Sequence, residues 1–220
     1  MRNVAILIPT YDSKVQCQLM ISMAEIFRIN AERGGMQLFI HCWMGEAILE
    51  KARNNLFYEA YSAGYDDIVF LDSDQSFEPA AFFKMLEHPV DVLALPVRMK
   101  TEEARFNLRP ENPKEHEFDP KLGLLKVQRA GTGMLRISRK AMEAIYNDSP
   151  EYFDGVHTRR RVFEVKMING NLFSEDVVFC DHLTELGFPT YVDINYTVKH
   201  YGTKCFEGDY KEHFKQHFLA

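Results

Sequence analysis

Four cysteines are scattered along the 220 residues, Cys17, Cys42, Cys180 and Cys205, and no two form a Cys-x-x-Cys pair. Their scarcity excludes a disulfide framework and a thiolate zinc site, and leaves buried thiols in a cytoplasmic chain as the expectation. No segment approaches the ~18 consecutive apolar residues of a membrane span. Met1-Arg2 leads directly into Val4-Ala5-Ile6-Leu7-Ile8, too short for the apolar region of a signal peptide and better suited to a first strand. Basic residues are in the minority, 26 Lys and Arg against 32 Asp and Glu, so bulk electrostatics do not favour a large polyanion such as nucleic acid. Internal repeats and low-complexity stretches are lacking too. What remains is an ordinary globular composition, long enough for one α/β domain over residues 1–220.

The most informative stretch is Asp67-Ile68-Val69-Phe70-Leu71-Asp72-Ser73-Asp74-Gln75-Ser76. Its β-branched and aromatic run reads as a buried parallel strand that carries Asp72 and Asp74 to its carboxyl end, where open α/β sheets keep their ligands. Two carboxylates one residue apart repel each other unless a cation sits between them. Mg²⁺ or Mn²⁺, hard ions that share oxygen ligands with substrate phosphates, suit that demand. As a structural alternative, Asp-Ser-Asp is a polar turn before the helix that Pro79 begins.

Taken in order, residues 3–8 form a first strand ending in Pro9-Thr10-Tyr11-Asp12-Ser13. Apolar residues from Lys14 to Arg33 recur at helical spacing and stop at Gly34-Gly35. Met36–Trp43 is a second strand, Ala47–Ala63 a second helix closed by Gly64, and Asp67–Leu71 the third strand. This β-α-β-α-β order predicts a mostly parallel sheet with helices on both faces. A helix over Pro79–Glu87 and a strand over Asp91–Leu95 follow. Arg98–Lys121 is expected to be a long charged loop and Asn147–Asn171, with Arg159-Arg160-Arg161, a second irregular stretch; both are expected to act as mobile cover. Between them lie a strand over Leu122–Gln128, the turn Gly131-Thr132-Gly133 and a helix over Ser138–Tyr146. Ser174 is a candidate cap for a helix running to Gly187, with Glu175 and Asp176 in its first turn. Short strands are expected over Thr190–Ile194 and Thr197–His200. His213 and His217 lie four apart without an evident third ligand and are taken as solvated.

Ile8-Pro9-Thr10-Tyr11, Ala52-Arg53-Asn54, Phe70-Leu71-Asp72-Ser73-Asp74, Gly131-Thr132-Gly133, Ser174-Glu175-Asp176 and His200-Tyr201-Gly202 fall in an order with a known counterpart. Over residues 3 to about 202 the sequence resembles the family 2-like nucleotide-sugar-dependent glycosyltransferases of the GT-A fold. The resemblance implies a three-layer α/β/α sandwich with a mostly parallel, Rossmann-like central sheet. Residues 1–97 would form a nucleotide-binding half and 98–220 an acceptor-binding half. It also implies a metal-dependent hexosyl transfer from a nucleotide-diphosphate donor, UDP-linked as a first expectation, to a hydroxyl of a glycan, lipid or other acceptor.

By the same resemblance, Pro9, Thr10 and Tyr11 contact the nucleoside, and Arg53, Asp72, Ser73, Gly131, Thr132 and Gly133 complete the donor site. Asp72, Asp74 and His200 hold the metal, Mn²⁺ or Mg²⁺. Asp176 is the general base of an inverting transfer, with Glu175 beside it. For each there is a plainer structural role: a turn, a surface arginine, a core histidine, acids that cap a helix. An aspartate-based phosphohydrolase would need Thr or Val where Gln75-Ser76 follows the acids, and a sugar nucleotidyltransferase a Gly-rich basic loop where Pro9-Thr10-Tyr11-Asp12 stands. A degenerate nucleotide-sugar-binding module is the remaining alternative.

Overall fold

The computed structural model describes residues 1–110 and 117–218, so part of the expected loop over 98–121 lies outside the described residues. Its first elements, β1 (Arg2–Thr10), α1 (Cys17–Arg33), β2 (Met36–Met44), α2 (Leu49–Ala63) and β3 (Asp67–Leu71), follow the expected alternation. The first helix starts three residues later than its periodicity predicts. The Thr10 hydroxyl accepts from the Lys14 amide (3.1 Å) and donates to the Lys14 carbonyl (2.8 Å), which holds residues 10–14 in a turn. At the end of α2, Gly64 takes a φ of 77°, a left-handed conformation open to glycine and costly for other residues.

Beyond β3 come β4 (Gln75–Ser76), α3 (Pro79–Glu87), β5 (Val92–Ala94), β6 (Leu108–Pro110), β7 (Phe118–Asp119), β8 (Leu124–Ala130), β9 (Met134–Ser138) and α4 (Arg139–Asp148). The stretch expected to be irregular contains two antiparallel hairpins, β10 (Glu151–Phe153) with β11 (Thr158–Arg160), and β12 (Lys166–Ile168) with β13 (Asn171–Phe173). The chain continues through α5 (Glu175–Glu185), β14 (Thr190–Asp193), β15 (Lys199–Tyr201), β16 (Cys205–Phe206) and α6 (Tyr210–Phe218).

Among the described residues nine strands form the central sheet in the order β2-β1-β3-β9-β5-β14-β8-β6, with β7 beside β8. Only β9, antiparallel to β3 and β5, and β8, antiparallel to β14, β6 and β7, run against the rest. The other seven share one direction, and the sheet is mostly parallel in that sense. Alternation along β1 divides the core in two. Ala5 and Leu7 face Leu56 and Phe57 of α2, Ile145 of α4 and Phe179 of α5; Val4 and Ile6 face Leu19 and Ile26 of α1 and Phe82 of α3. The result is three α/β/α layers. Among the described residues no helix is long and apolar enough to cross a membrane.

Two expectations are corrected. Cys180 alone is buried, and burial pushes its thiol up to about 11, whereas Cys17, Cys42 and Cys205 lie on the surface. Cys17 opens α1, Cys42 lies on the edge strand β2 and Cys205 on the short strand β16, none of them a core position. His213 is packed rather than solvated: its ring meets those of Phe106 (5.1 Å) and Tyr210 (6.0 Å). Burial lowers its pKa, and His217 adds to the effect. The triple arginine belongs to the β10–β11 hairpin and the residue after it. Arg159 is buried, its Nε 2.5 Å from Asp154 and its Nη1 donating to Asn55 (2.7 Å).

Candidate active site

β3 releases the chain at Leu71, and the next three residues form the acidic turn. The Asp72 amide donates to the Gly133 carbonyl (2.9 Å), and the Ser73 carbonyl accepts from Gln16 (2.8 Å), so the turn is held from both sides. Gly133 is required by close approach. A Cβ there would lie 2.3 Å from Gln75 Nε2 and 3.1 Å from Asp72 Oδ2, and Gln75 is buried. Asn107 fills the corresponding space at Gly131, 2.1 Å from where a Cβ would sit. The open faces of both glycines are therefore occupied by side chains of this chain. Thr132 between them is buried, and among the described residues its hydroxyl has no hydrogen-bond partner.

Arg53 is the hub of the site. The helix α2 buries it to 4% exposure, with Nη2 donating to Asp72 Oδ1 (3.1 Å) and Nη1 to Glu175 Oε1. One guanidinium thus fastens the turn after β3 to the first turn of α5, where Glu175 lies 122 residues beyond Arg53 along the chain. Burial pushes the Glu175 carboxyl up; Arg53 opposes that and Asp176 reinforces it.

His200 arrives by strand pairing. β15 lies antiparallel to β4, with His200 opposite Gln75, and the Tyr201 amide donates to the Asp74 carbonyl (2.8 Å). Nδ1 of His200 is 3.1 Å from the Arg98 carbonyl and Nε2 is 3.2 Å from Asp74 Oδ1. A carbonyl only accepts, so Nδ1 carries a proton and Nε2 of the neutral ring turns a lone pair toward a carboxylate. Two acceptors so placed call for a cation between them, a proton or a metal ion. Lys100, which sequence reasoning passed over, contacts the other oxygen of Asp74 at 2.5 Å. It is placed by Arg98, whose guanidinium gathers the carbonyls of Met99 (2.5 Å), Thr101 (2.8 Å) and Glu102 (3.2 Å). Burial pushes the Asp74 carboxyl up, but the bonds from His200 and Lys100 outweigh it and hold the group below its ordinary 3.8.

Of the three expected metal ligands, Asp74 and His200 come together, while Asp72 is turned to Arg53. Among the described residues no group of three His, Cys, Asp or Glu side chains is gathered for a metal. The pair nevertheless fits a hard divalent ion that takes its other ligands from phosphate oxygens and water. The bond from Nδ1 of His200 to the Arg98 carbonyl orients the ring as such bonds do in metal-binding histidines.

At the start of α5, Ser174 occupies the cap position but does not cap a backbone amide; its hydroxyl donates to Asp176 Oδ1. The Val177 amide donates to the same oxygen (2.8 Å), and among the described residues Oδ2 accepts no hydrogen bond. Asp176 lines a cavity of about 340 Å³ that also reaches Gly131. At the carboxyl end of β1, Pro9 and Thr10 are buried, whereas the Tyr11 ring is 69% exposed.

Neither family models nor curated sequences give a match. Among solved structures the chain is similar to the protein A197 from STIV, with 17% identity over 92% of this chain and 86% of that one, at a TM-score of 0.58. It is also similar to GalNAc-T7, solved with UDP, GalNAc and Mn²⁺, at 10% identity over 90% of this chain and a TM-score of 0.50. There it spans 43% of the other chain, well under half its length. At such identities the likeness is one of fold, and with the sheet order and layers above it shows that the chain has the GT-A glycosyltransferase fold.

Proposed function

We propose that the chain is a metal-dependent glycosyltransferase that moves a sugar from a UDP-linked donor to a hydroxyl acceptor with inversion, Asp176 acting as general base. The observation that carries this reading is Arg53, which brings the acidic turn and the Glu175-Asp176 pair into one site. In the proposed arrangement residues 1–97 grip the donor and 98–220 the acceptor, within one cytoplasmic domain. Tyr11, exposed beyond β1, offers a ring for the base, with Pro9 and Thr10 shaping the turn beneath it. Asp74 and His200 are the proposed ligands of Mn²⁺ or Mg²⁺, with Asp72 and Ser73 closing the donor side of the turn. When bound, such an ion would neutralise charge on the departing diphosphate as a Lewis acid.

The chain's own groups supply the rest. Asp176 Oδ2 takes the proton of the acceptor hydroxyl as that oxygen bonds to the anomeric carbon and the sugar–phosphate bond breaks, its electron pair leaving with the diphosphate. Ser174 and the Val177 amide fix the other oxygen, so the accepting lone pair keeps its direction. Arg53 holds Glu175 against α2, leaving Asp176 as the acid beside the cavity. The Gly131-Thr132-Gly133 backbone forms the wall between donor turn and cavity.

Titration calorimetry of UDP and of GDP, with Mn²⁺ and with a chelator, tests this reading. Binding is expected to need the metal, and Asp74→Asn to remove most of that dependence while the fold is kept. Equal affinities with metal and with chelator would refute it.

A further inference from the structure

The cavity beside Asp176 has an apolar lining from Leu108, Ala130 and Val177 and a charged one from Arg109, Arg129 and Asp176. The register of β6 on β8 sets Arg109 directly opposite Arg129. Side chains opposed across antiparallel strands share a face with Cβ atoms about 4.5–5.5 Å apart, and like charges there destabilise the pair. Asp181 answers one of them. It accepts two hydrogen bonds from Arg129 (2.9 and 2.6 Å), and the Phe173 ring lies 5.1 Å from that guanidinium. Arg109 is exposed and makes no ion pair with any described residue. Charge on an edge strand commonly blocks pairing with another chain, but an acid at position 109 would serve that end and also relieve the repulsion from Arg129.

We propose that this cavity seats the acceptor and that the acceptor carries an oxyanion, a carboxylate or a phosphate, held by Arg109. The inference rests on the reading of Asp176 as the base. A guanidinium receives either oxyanion through two parallel N–H bonds. Asp176 repels an anion, so the two ends of the cavity sort the substrate: the oxyanion goes to the arginine end and a neutral hydroxyl to the carboxylate end. Arg129, fixed by Asp181, stays behind as a second positive wall, and the apolar lining suits the carbon skeleton between the two groups.

Calorimetric titration of the full chain without metal or nucleotide tests this, with glucose 6-phosphate, glucuronate and glucose as probes. At least one anionic sugar is expected to bind, with glucose tenfold weaker or worse, and the tighter of the two names the oxyanion. Arg109→Gln is expected to weaken the anionic sugar by about 10–100-fold, the range for a hydrogen bond to a charged group, and to leave Mn²⁺-dependent UDP affinity unchanged. Equal binding of glucose, no binding of any probe, an unaltered Arg109→Gln variant or a parallel loss of UDP affinity would each overturn the proposal. Arg109-dependent binding of the anionic sugar in a protein that fails to bind UDP with Mn²⁺ would keep the anion site and remove the transferase reading. The two can therefore fail separately.

Discussion

The site contains two pairs of neighbouring acids, Asp72 and Asp74 after β3 and Glu175 and Asp176 at the start of α5, and the chain treats them alike up to a point. Arg53 takes one member of each, Asp72 and Glu175, and leaves Asp74 and Asp176 free for other work. There the likeness ends. Asp74 faces an ammonium and an imidazole, one on each oxygen. Among the described residues Asp176 receives only neutral donors, a hydroxyl and an amide, both on one oxygen. Identical side chains thus stand in different surroundings, which is what the two proposed roles require: a carboxylate beside an imidazole nitrogen for sharing a cation, and one with an uncommitted lone pair for taking a proton.

The contrast predicts unequal outcomes for equal substitutions. Asp176→Asn is expected to lower sugar transfer by about 10²–10⁴-fold, the usual worth of a general base, with donor affinity unchanged; initial rates beside calorimetry check both. Transfer at the parent rate, or retained anomeric configuration in the product by NMR, would remove Asp176 from the mechanism. Arg53→Met strips the shared partner from both pairs at once. Because the guanidinium is buried, loss of one partner of such a pair costs about 3–5 kcal/mol, which urea unfolding would register, and a drop below 1 kcal/mol would show that the two acid pairs are not joined through Arg53. Gly133→Ala drives a methyl into buried Gln75 and is expected to cost about 1–3 kcal/mol, the range for overpacking.

The smallest effect is electrostatic. The Asp74 carboxyl lies below its ordinary 3.8, so the folded state binds its proton less tightly than the unfolded state. Its stabilisation is complete above that value and is lost as pH falls through the lower folded one. Because Asp74 is partly exposed, that stabilisation is below about 1 kcal/mol. The stability difference between parent and Asp74→Asn should accordingly shrink as pH drops under 3.8. Glu175, pushed upward by burial, works with the reverse sign: its protonated form is favoured by folding, so stability declines as pH rises through its folded value. A difference that grew on acidification would contradict the assignment for Asp74.

Much of this frame was legible from local pattern. The apolar runs of β1 and β3 betray strands buried on both faces, Gly64 marks a left-handed helix end, and Pro79 opens α3 because its missing N–H is not needed there. What was not legible depends on distant partners. Arg53 reads as a guanidinium looking for an anion, and nothing nearby in sequence says that Asp72 and Glu175 supply two. Lys100 sits in a charge-rich stretch without spacing or period, and only the turn gathered by Arg98 carries it to Asp74. The hairpins after α4 have three-residue strands with charged members, too short for alternation to stand out. Cys17 and Cys42 escaped because their helix and strand were recognised but not their solvent faces, and Cys205 because the two-residue strand β16 was not recognised at all.

The antiparallel strand β9 has a bearing on when the molecule becomes itself. It lies between β3 and β5, so a strand from residues 134–138 is wedged into a sheet whose neighbours end at Leu71 and Ala94. A chain halted at residue 97 would leave β3 and β5 each with an unsatisfied hydrogen-bonding edge and would lack the Gly133 carbonyl that steadies Asp72. The acidic turn is written early in the gene yet cannot be assembled until β9 has been made. At ~5–20 residues per second of synthesis, the nascent chain therefore passes some seconds with its apolar strands made and their central partner still missing, an interval in which a chaperone would find its substrate.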